Sequence, residues 1–108
     1  MDMDEYQKKA GEFAIFPKTA GLIYPVLGLV GEAGEVAEKL KKIIRDNDGW
    51  MSEEQKHEYA KELGDVLWYL GAIASGLNYR LSDIAELNLA KLQSRKDRNV
   101  LKGSGDNR

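Results

Sequence analysis

Two pairs of carboxylates occur in the sequence at the same spacing. Glu32 and Glu35 lie in the stretch GLVGEAGEVAEKLKK, and Glu62 and Asp65 lie in KELGDVLWYL. Since an α-helix turns by about 100° per residue, the two acids of each pair project from one side of their helix. Each acid directly precedes a core-type residue, so each acidic side borders an apolar side. If the two helices pack through their apolar sides, the four carboxylates converge at the edge of the core.

Four converging carboxylates would repel one another and take up protons unless a cation neutralised them. The sequence has no cysteine and a single histidine, His57, so thiolate and multi-imidazole sites are excluded. A ferritin-like di-iron centre needs Glu-x-x-His motifs on two helices, whereas Glu54-Gln-Lys-His57 occurs once. The all-oxygen set therefore predicts magnesium, with manganese as a substitute. Its charge suffices for more than one ion, a known arrangement for phosphoryl displacement.

A polar stripe occurs near the end of the sequence. Asn88, Lys91 and Arg95 are spaced by three and four residues, so they share one side of a helix. They supply an amide, a point charge and a fork of donors, which together suit a chain of phosphates. Each acidic pair and this stripe, taken alone, is also typical of a solvated helix face. Together they predict a site for a metal and a triphosphate.

Amphipathic segments must position these groups. Apolar residues recur at helical spacing in four segments, at about residues 2–13, 22–46, 52–78 and from 82 onward. The order Ser52-Glu-Glu-Gln55 predicts a capping box at the start of the third helix. No stretch has the alternation of a strand. The sequence therefore predicts an all-α fold with a four-helix, bundle-like subunit.

The third predicted helix carries more apolar surface than one small subunit can bury. The segment Val66–Ala74 is apolar on nearly every side, which is typical of a helix covered all round. Three glycines inside the second helix, at positions 28, 31 and 34, also indicate that a backbone or a ligand comes close there. The apolar third helix predicts that the subunit oligomerises through its helices.

Length and charge limit the class of protein. The 108 residues fit one domain, predicted at residues 1–102, followed by a disordered tail at 103–108. The net charge of −2 provides no basic surface for nucleic acid, so no nucleic-acid partner is expected. Neither a signal-peptide apolar region nor a membrane-length apolar run occurs, so a cytoplasmic protein with no membrane contact is predicted.

The paired acidic motif, read with its surroundings, resembles the metal signature of MazG-like nucleotide pyrophosphohydrolases, within the all-α NTP pyrophosphatase superfamily. The resemblance extends over about residues 6–98 and includes the stretch from Asn88 to Arg95. It implies helical subunits that form a homodimer or a homotetramer (a dimer of dimers), with sites built from both chains. It also implies magnesium-dependent hydrolysis of a (deoxy)nucleoside triphosphate to the monophosphate and pyrophosphate.

The resemblance also implies roles for single residues. The magnesium ligands would be the four acids of the paired motif: Glu32, Glu35, Glu62 and Asp65. Glu35 would in addition orient the attacking water as the catalytic residue. The phosphates would contact the C-terminal polar stripe and two lysines of the second helix: Asn88, Lys91, Arg95, Lys39 and Lys42. Three aromatic residues are candidates for stacking on the base: Phe16, Tyr24 and Trp68.

Two alternatives remain open at the level of sequence. One is a related all-α phosphohydrolase that acts on a single nucleotide, of the dUTP or dCTP type. The other is a non-catalytic helical interaction module that keeps its acidic stripes for solubility. A single copy of the domain is compatible with cellular, phage and mobile-element roles.

Overall fold

The computed structural model describes residues 1–108, and its elements confirm the all-α prediction. Four α-helices follow one another, with no strand between them: α1 (Met3–Gly11), α2 (Ile23–Asn47), α3 (Glu53–Gly76) and α4 (Leu81–Asp97). A single 3-10 turn, Lys18–Ala20, lies between α1 and α2. None of the helices combines the length and apolar character that crossing a membrane requires.

The two long helices form an antiparallel hairpin. α2 ends where Asp48 adopts a left-handed conformation (φ 51°), and α3 begins at the predicted capping box. There the Gln55 amide donates to Ser52 Oγ (3.1 Å), and the Ser52 amide donates to Gln55 Oε1 (2.9 Å). The Tyr59 hydroxyl donates to the Val36 carbonyl across the hairpin (3.2 Å). This hairpin places the two acidic pairs on facing helices.

α1 packs on α3 and on the start of α4. The Gln7 side chain donates to Ser75 Oγ (3.0 Å) and to the Tyr79 carbonyl (2.9 Å), and it accepts from the Leu81 amide (2.7 Å). The Trp68 indole donates to the Ala10 carbonyl (3.1 Å). These bonds satisfy polar groups at the end of α3 and at the start of α4, so α1 positions the two helices relative to each other.

The single chain leaves much of its apolar surface uncovered. Its buried core consists of a few side chains, most of them small. The radius of gyration is 16.8 Å, whereas a compact domain of this length has about 13 Å. One side of α2 is particularly exposed, with Ile23 at 69%, Leu27 at 67% and Val30 at 66%. We call these three residues the exposed α2 face. Apolar surface of this extent is typical of an interaction site.

Candidate active site

Three of the four predicted metal ligands converge. Glu32 of α2 and Glu62 and Asp65 of α3 each place one carboxylate oxygen within 4.8 Å of the other two. Glu32 and Glu62 are half-buried, and Asp65 is exposed. Oxygens bound to one magnesium ion lie at most about 4.2 Å apart, so small side-chain rotations would bring the three carboxylates to such distances. We call these three residues the carboxylate cluster, and its all-oxygen donor set fits a hard divalent cation.

Glu35 lies outside the carboxylate cluster. Its side chain is exposed on α2, one helical turn beyond Glu32. It is still close enough for its charge to contribute to the raised pKa of Glu32. The structure therefore places Glu35 beside the cluster, where it can act on something bound there.

Within the cluster, Glu32 shows the effect of neighbouring acids. Partial burial raises the pKa of Glu32 above its ordinary value of 4.5, and the charges of Asp65, Glu62 and Glu35 raise that pKa further. A raised carboxyl pKa means that the ionised form is disfavoured in the folded protein. The stability that Glu32 contributes is therefore present in full below pH 4.5 and is lost as the pH rises through the raised pKa.

Substitution of Glu32 tests this sign. In EDTA at neutral pH, Glu32→Gln should melt at a higher temperature than the wild type, because it removes a repelled charge. The difference should shrink as the pH falls toward 4.5, when Glu32 itself takes up a proton. Thermal unfolding followed by circular dichroism between pH 4 and pH 8 measures both effects.

Glu38→Gln is the matched control for that experiment. Glu38 is an exposed acid on the same helix, and its hydrogen bond from Lys41 lowers its pKa. Its charge is therefore favourable at neutral pH, so this variant should not gain stability there. A Glu32→Gln protein that melts below the wild type at pH 7 in EDTA would contradict the electrostatic account.

Lys39 bridges the two long helices at the edge of the cluster. Its ammonium lies 2.8 Å from Glu62 Oε1, so it pairs across the hairpin and not with Glu35 on its own helix. The hydrogen bond to Glu62 raises the pKa of Lys39. Lys39 thus offsets part of the negative charge and stands beside the position a cation would take. Lys42 follows on α2 and is exposed.

Two tyrosines that the motif does not include also lie near the cluster. Burial raises the pKa of the Tyr69 phenol, and the charges of Glu32 and Asp65 add to the effect of Tyr24. Burial and the charge of Asp65 likewise raise the pKa of Tyr6 on α1. The available signal for Tyr69 was its position four residues after Asp65, on the same side of α3. That signal was masked because Tyr69 falls within an apolar run.

Gly28 is required by the position of Tyr69. A Cβ at this position would overlap the Tyr69 ring, which packs edge-on against Trp68 with 5.0 Å between ring centroids. We expect Gly28→Ala to destabilise the protein by about 1–3 kcal/mol through overpacking, although alanine favours a helix by about 1 kcal/mol. Chemical denaturation measures the difference. Gly64→Ala is the control, because its Cβ would meet nothing within 4 Å. Equal stability of the two variants would contradict the close approach of Tyr69.

A cavity lies between α1, the start of α2 and the second half of α3. Phe16 stacks on Tyr24 (4.8 Å between ring centroids) and meets Trp68 edge-on (6.2 Å). Phe16 and Trp68 line a cavity of about 320 Å³, together with Lys18 and Pro25. Trp68 stands one turn, about 5 Å, from Asp65 along α3. None of the four acids lines the cavity, which extends from Trp68 toward the end of α3, and two of the three predicted stacking residues line it.

The predicted phosphate-binding stripe lies on α4, which packs on α1 and α3. Asn88 is exposed, Lys91 is half-buried, and Arg95 is buried, with 6% of its surface accessible. The charges that act on Glu32 come from α2 and α3 and not from this helix. Within one chain, the structure keeps the stripe together but does not bring it into the carboxylate cluster.

Comparison with known proteins gives the family. Residues 25–100 match the MazG nucleotide pyrophosphohydrolase domain, a range that includes both acidic pairs and the α4 stripe. The chain is also similar to the Gene 37 protein of Mycobacterium phage L5, with 50% identity over 114 aligned positions that cover 100% of both chains. No solved structure is significantly similar to it. The resemblance seen in the sequence is thereby confirmed, and the chain belongs to the MazG nucleotide pyrophosphohydrolase family.

Proposed function

We propose that this protein hydrolyses (deoxy)nucleoside triphosphates to the nucleoside monophosphate and pyrophosphate, with magnesium as its cofactor. Membership of the MazG family supports nucleotide pyrophosphohydrolase activity in general. The single observation that carries the finer proposal is the convergence of three carboxylates from two helices within 4.8 Å. Such a cluster is unfavourable in the apoprotein, and a bound hard cation would relieve the repulsion.

The residues divide the work as follows. Glu32, Glu62 and Asp65 would hold magnesium, and Glu35 beside them would complete the set for more than one ion. Bound magnesium supplies neutralisation of phosphate charge and a more acidic water. Glu35 would orient the attacking water and accept its proton, because its carboxylate stands next to the cluster without belonging to it. Water adds at the α-phosphorus, the bond to the bridging oxygen breaks, and pyrophosphate leaves.

Cationic side chains would bind the phosphate chain. The Lys39 ammonium lies 2.8 Å from Glu62 in the structure. If Glu62 bound a cation instead, the Lys39 ammonium would be free to contact the substrate. Lys91 and Arg95 would contact the phosphates as a point charge and a fork of donors, with Asn88 as an amide donor. The cavity that Phe16 and Trp68 line would hold the base, which would stack on these two rings.

A complete site would require a second copy of the chain. The exposed α2 face and the exposed apolar residues of α3, Leu63 (51%) and Leu70 (41%), leave a large surface for a partner. We propose a homodimer, which can pair further into a homotetramer, because a closed two-fold interface covers the same surface on both subunits. The α4 stripe of one subunit would then reach the carboxylate cluster of its partner. Because its proposed substrates are nucleoside triphosphates, we place the activity in the cytoplasm.

A substrate panel tests the proposal. Purified protein is assayed with the ribo- and deoxyribonucleoside triphosphates, with magnesium, with manganese and with EDTA, and the release of pyrophosphate and of monophosphate is followed separately. We expect equal amounts of both products, and none in EDTA. Release of single phosphates, or equal rates in EDTA, would contradict the proposal.

The same panel separates the alternatives. Turnover of only dUTP or only dCTP would identify an enzyme specific for one nucleotide. No turnover, together with no magnesium-dependent nucleotide binding by calorimetry at millimolar metal, would favour the non-catalytic interaction module.

A further inference from the structure

The phosphate-binding stripe of α4 already has an anion on it. Lys91 Nζ lies 2.8 Å from Asp106 Oδ1, and Arg95 Nη2 lies 3.2 Å from the same oxygen. Arg95 Nη2 also donates to the Asp106 carbonyl at 2.7 Å. One carboxylate oxygen therefore accepts hydrogen bonds from both cations, as an oxygen of a phosphate would. The anion belongs to the protein itself.

The segment that carries Asp106 is folded back by its own backbone and by one arginine. Gly103 (φ 136°) and Gly105 (φ 85°) adopt conformations that other residues rarely reach, which allows the chain to reverse. The Arg108 guanidinium then donates to three carbonyls, those of Val100 (3.0 Å), Leu101 (3.0 Å) and Gly105 (2.7 Å). We call residues 103–108 the strap.

The contact between the strap and α4 consists of short ion pairs and hydrogen bonds, without apolar burial. Arg95 is buried, with 7% of its side chain exposed, so its charge requires a partner at all times. The Asp106 side chain is 78% exposed, and the residues from Leu101 to Asn107 are exposed. With no apolar burial behind it, the strap is held by ion pairs and hydrogen bonds that a stronger anion could replace. Lys91 and Arg95 lower the pKa of Asp106, so the carboxylate is ionised at neutral pH.

We propose that the strap is an autoinhibitory segment, in which the Asp106 carboxylate occupies the anion site formed by Lys91 and Arg95 and must leave before a triphosphate binds there. This inference rests on the proposed function, because it concerns the same two cations. The strap competes with the triphosphate within the same molecule. The apparent affinity therefore equals the intrinsic affinity multiplied by the fraction of molecules in which the site is free. For a contact of this exposure, we expect that reduction to be about two- to tenfold.

Asp106→Asn tests the strap by kinetics. This variant, and a chain that ends at Lys102, should each lower the KM for the nucleoside triphosphate about two- to tenfold with little change in kcat. Asp97→Asn is the matched control. It removes one carboxylate near the end of α4, one that accepts from Gln93 (2.8 Å) and does not touch Lys91 or Arg95. An unchanged KM in the Asp106 variant, or a higher one, as expected if the strap pre-orders the two cations, would overturn the proposal.

A binding experiment keeps this proposal separate from that of catalysis. Tripolyphosphate is titrated calorimetrically in EDTA, where no metal bridges it to the carboxylates, into the wild type, Asp106→Asn and Asp97→Asn. Tighter binding only to the Asp106 variant supports the strap, even if no variant hydrolyses a nucleotide. Equal affinities, including no binding at all, overturn it, even if turnover is normal. In the wild type, the amide resonances of Gly103 and Gly105 should move on titration toward their positions in Asp106→Asn.

Discussion

Asp65→Asn should reduce magnesium-dependent turnover by at least about a hundredfold while leaving the helical fold intact. Asp65 supplies one of the three carboxylates that lie within 4.8 Å of one another, and an amide at this position removes its charge and weakens a proposed magnesium ligand. Changes in the surroundings of metal ligands already cost about 10–100-fold, so loss of a ligand should cost more. Pyrophosphate release over a magnesium titration measures the effect. Circular dichroism checks the fold.

The Glu35→Gln variant should behave differently, although its turnover should also be lost. Glu35 stands outside the carboxylate cluster, so this variant should keep part of the thermal stabilisation by magnesium that Asp65→Asn loses. Glu53→Gln is the control, because Glu53 is an exposed acid of the same helix as Asp65 and pairs only with Lys56 (3.0 Å). Wild-type kcat in either Asp65→Asn or Glu35→Gln would refute the role assigned to that residue.

The second large effect is expected on assembly. Leu27 lies at the centre of the exposed α2 face with 67% of its surface accessible, and an aspartate there should prevent the subunits from associating. Burial of a leucine contributes about 1.5–3 kcal/mol, and a two-fold interface contains the residue twice. The dissociation constant should therefore rise by about 10²–10⁴-fold. Sedimentation velocity over a concentration series measures it, and turnover should fall with the fraction of assembled protein.

Ile15→Asp is the control for this assembly experiment. Ile15 is 95% exposed but lies in the segment between α1 and the 3-10 turn and is not part of α2. This variant should therefore assemble as the wild type does. A wild-type protein that sediments as a monomer at micromolar concentration, or a Leu27→Asp protein that remains assembled and active, would refute the proposed interface.

Much of the fold was predictable because its signals are local. The capping box at Ser52 depends on residues three positions apart, and the helical periodicity of each segment depends on neighbours within two turns. The observed bounds of α2, Ile23–Asn47, differ from the predicted ones by one residue at each end. The spacing of Glu32 and Glu35, and of Glu62 and Asp65, also lies within one helical turn, so each pair could be placed on one side of its helix without a structure.

The arrangement of the site required tertiary information. Lys39 had an acid available at a favourable spacing on its own helix, yet it pairs with Glu62 across the hairpin. Tyr69 looked like part of a buried apolar run, whereas its phenol is influenced by Glu32 and Asp65. In both cases the deciding contact joins residues far apart in sequence, and no local pattern contains it.

The strap also combines a local prediction from sequence with contacts that only the structure shows. Its composition predicts a disordered tail, and that prediction and the domain boundary at residue 102 stay predictions. The structure adds the contacts of Asp106 with Lys91 and Arg95, which are 15 and 11 residues away. Composition describes the tendency of a segment taken by itself. An ion pair between residues far apart in the chain depends on where the fold places the two charges.

The amino-acid sequence alone determined that this protein is helical, that four of its acids form two pairs, each on one side of a helix, and that oxygen would be the donor to any metal they hold. Residue type and helical spacing decide these properties. Only the tertiary structure decided that three of the four acids meet, that Glu35 stands beside them, and that Asp106 covers the cations of α4. These are distances between residues remote in the chain, and they are set by how the helices pack.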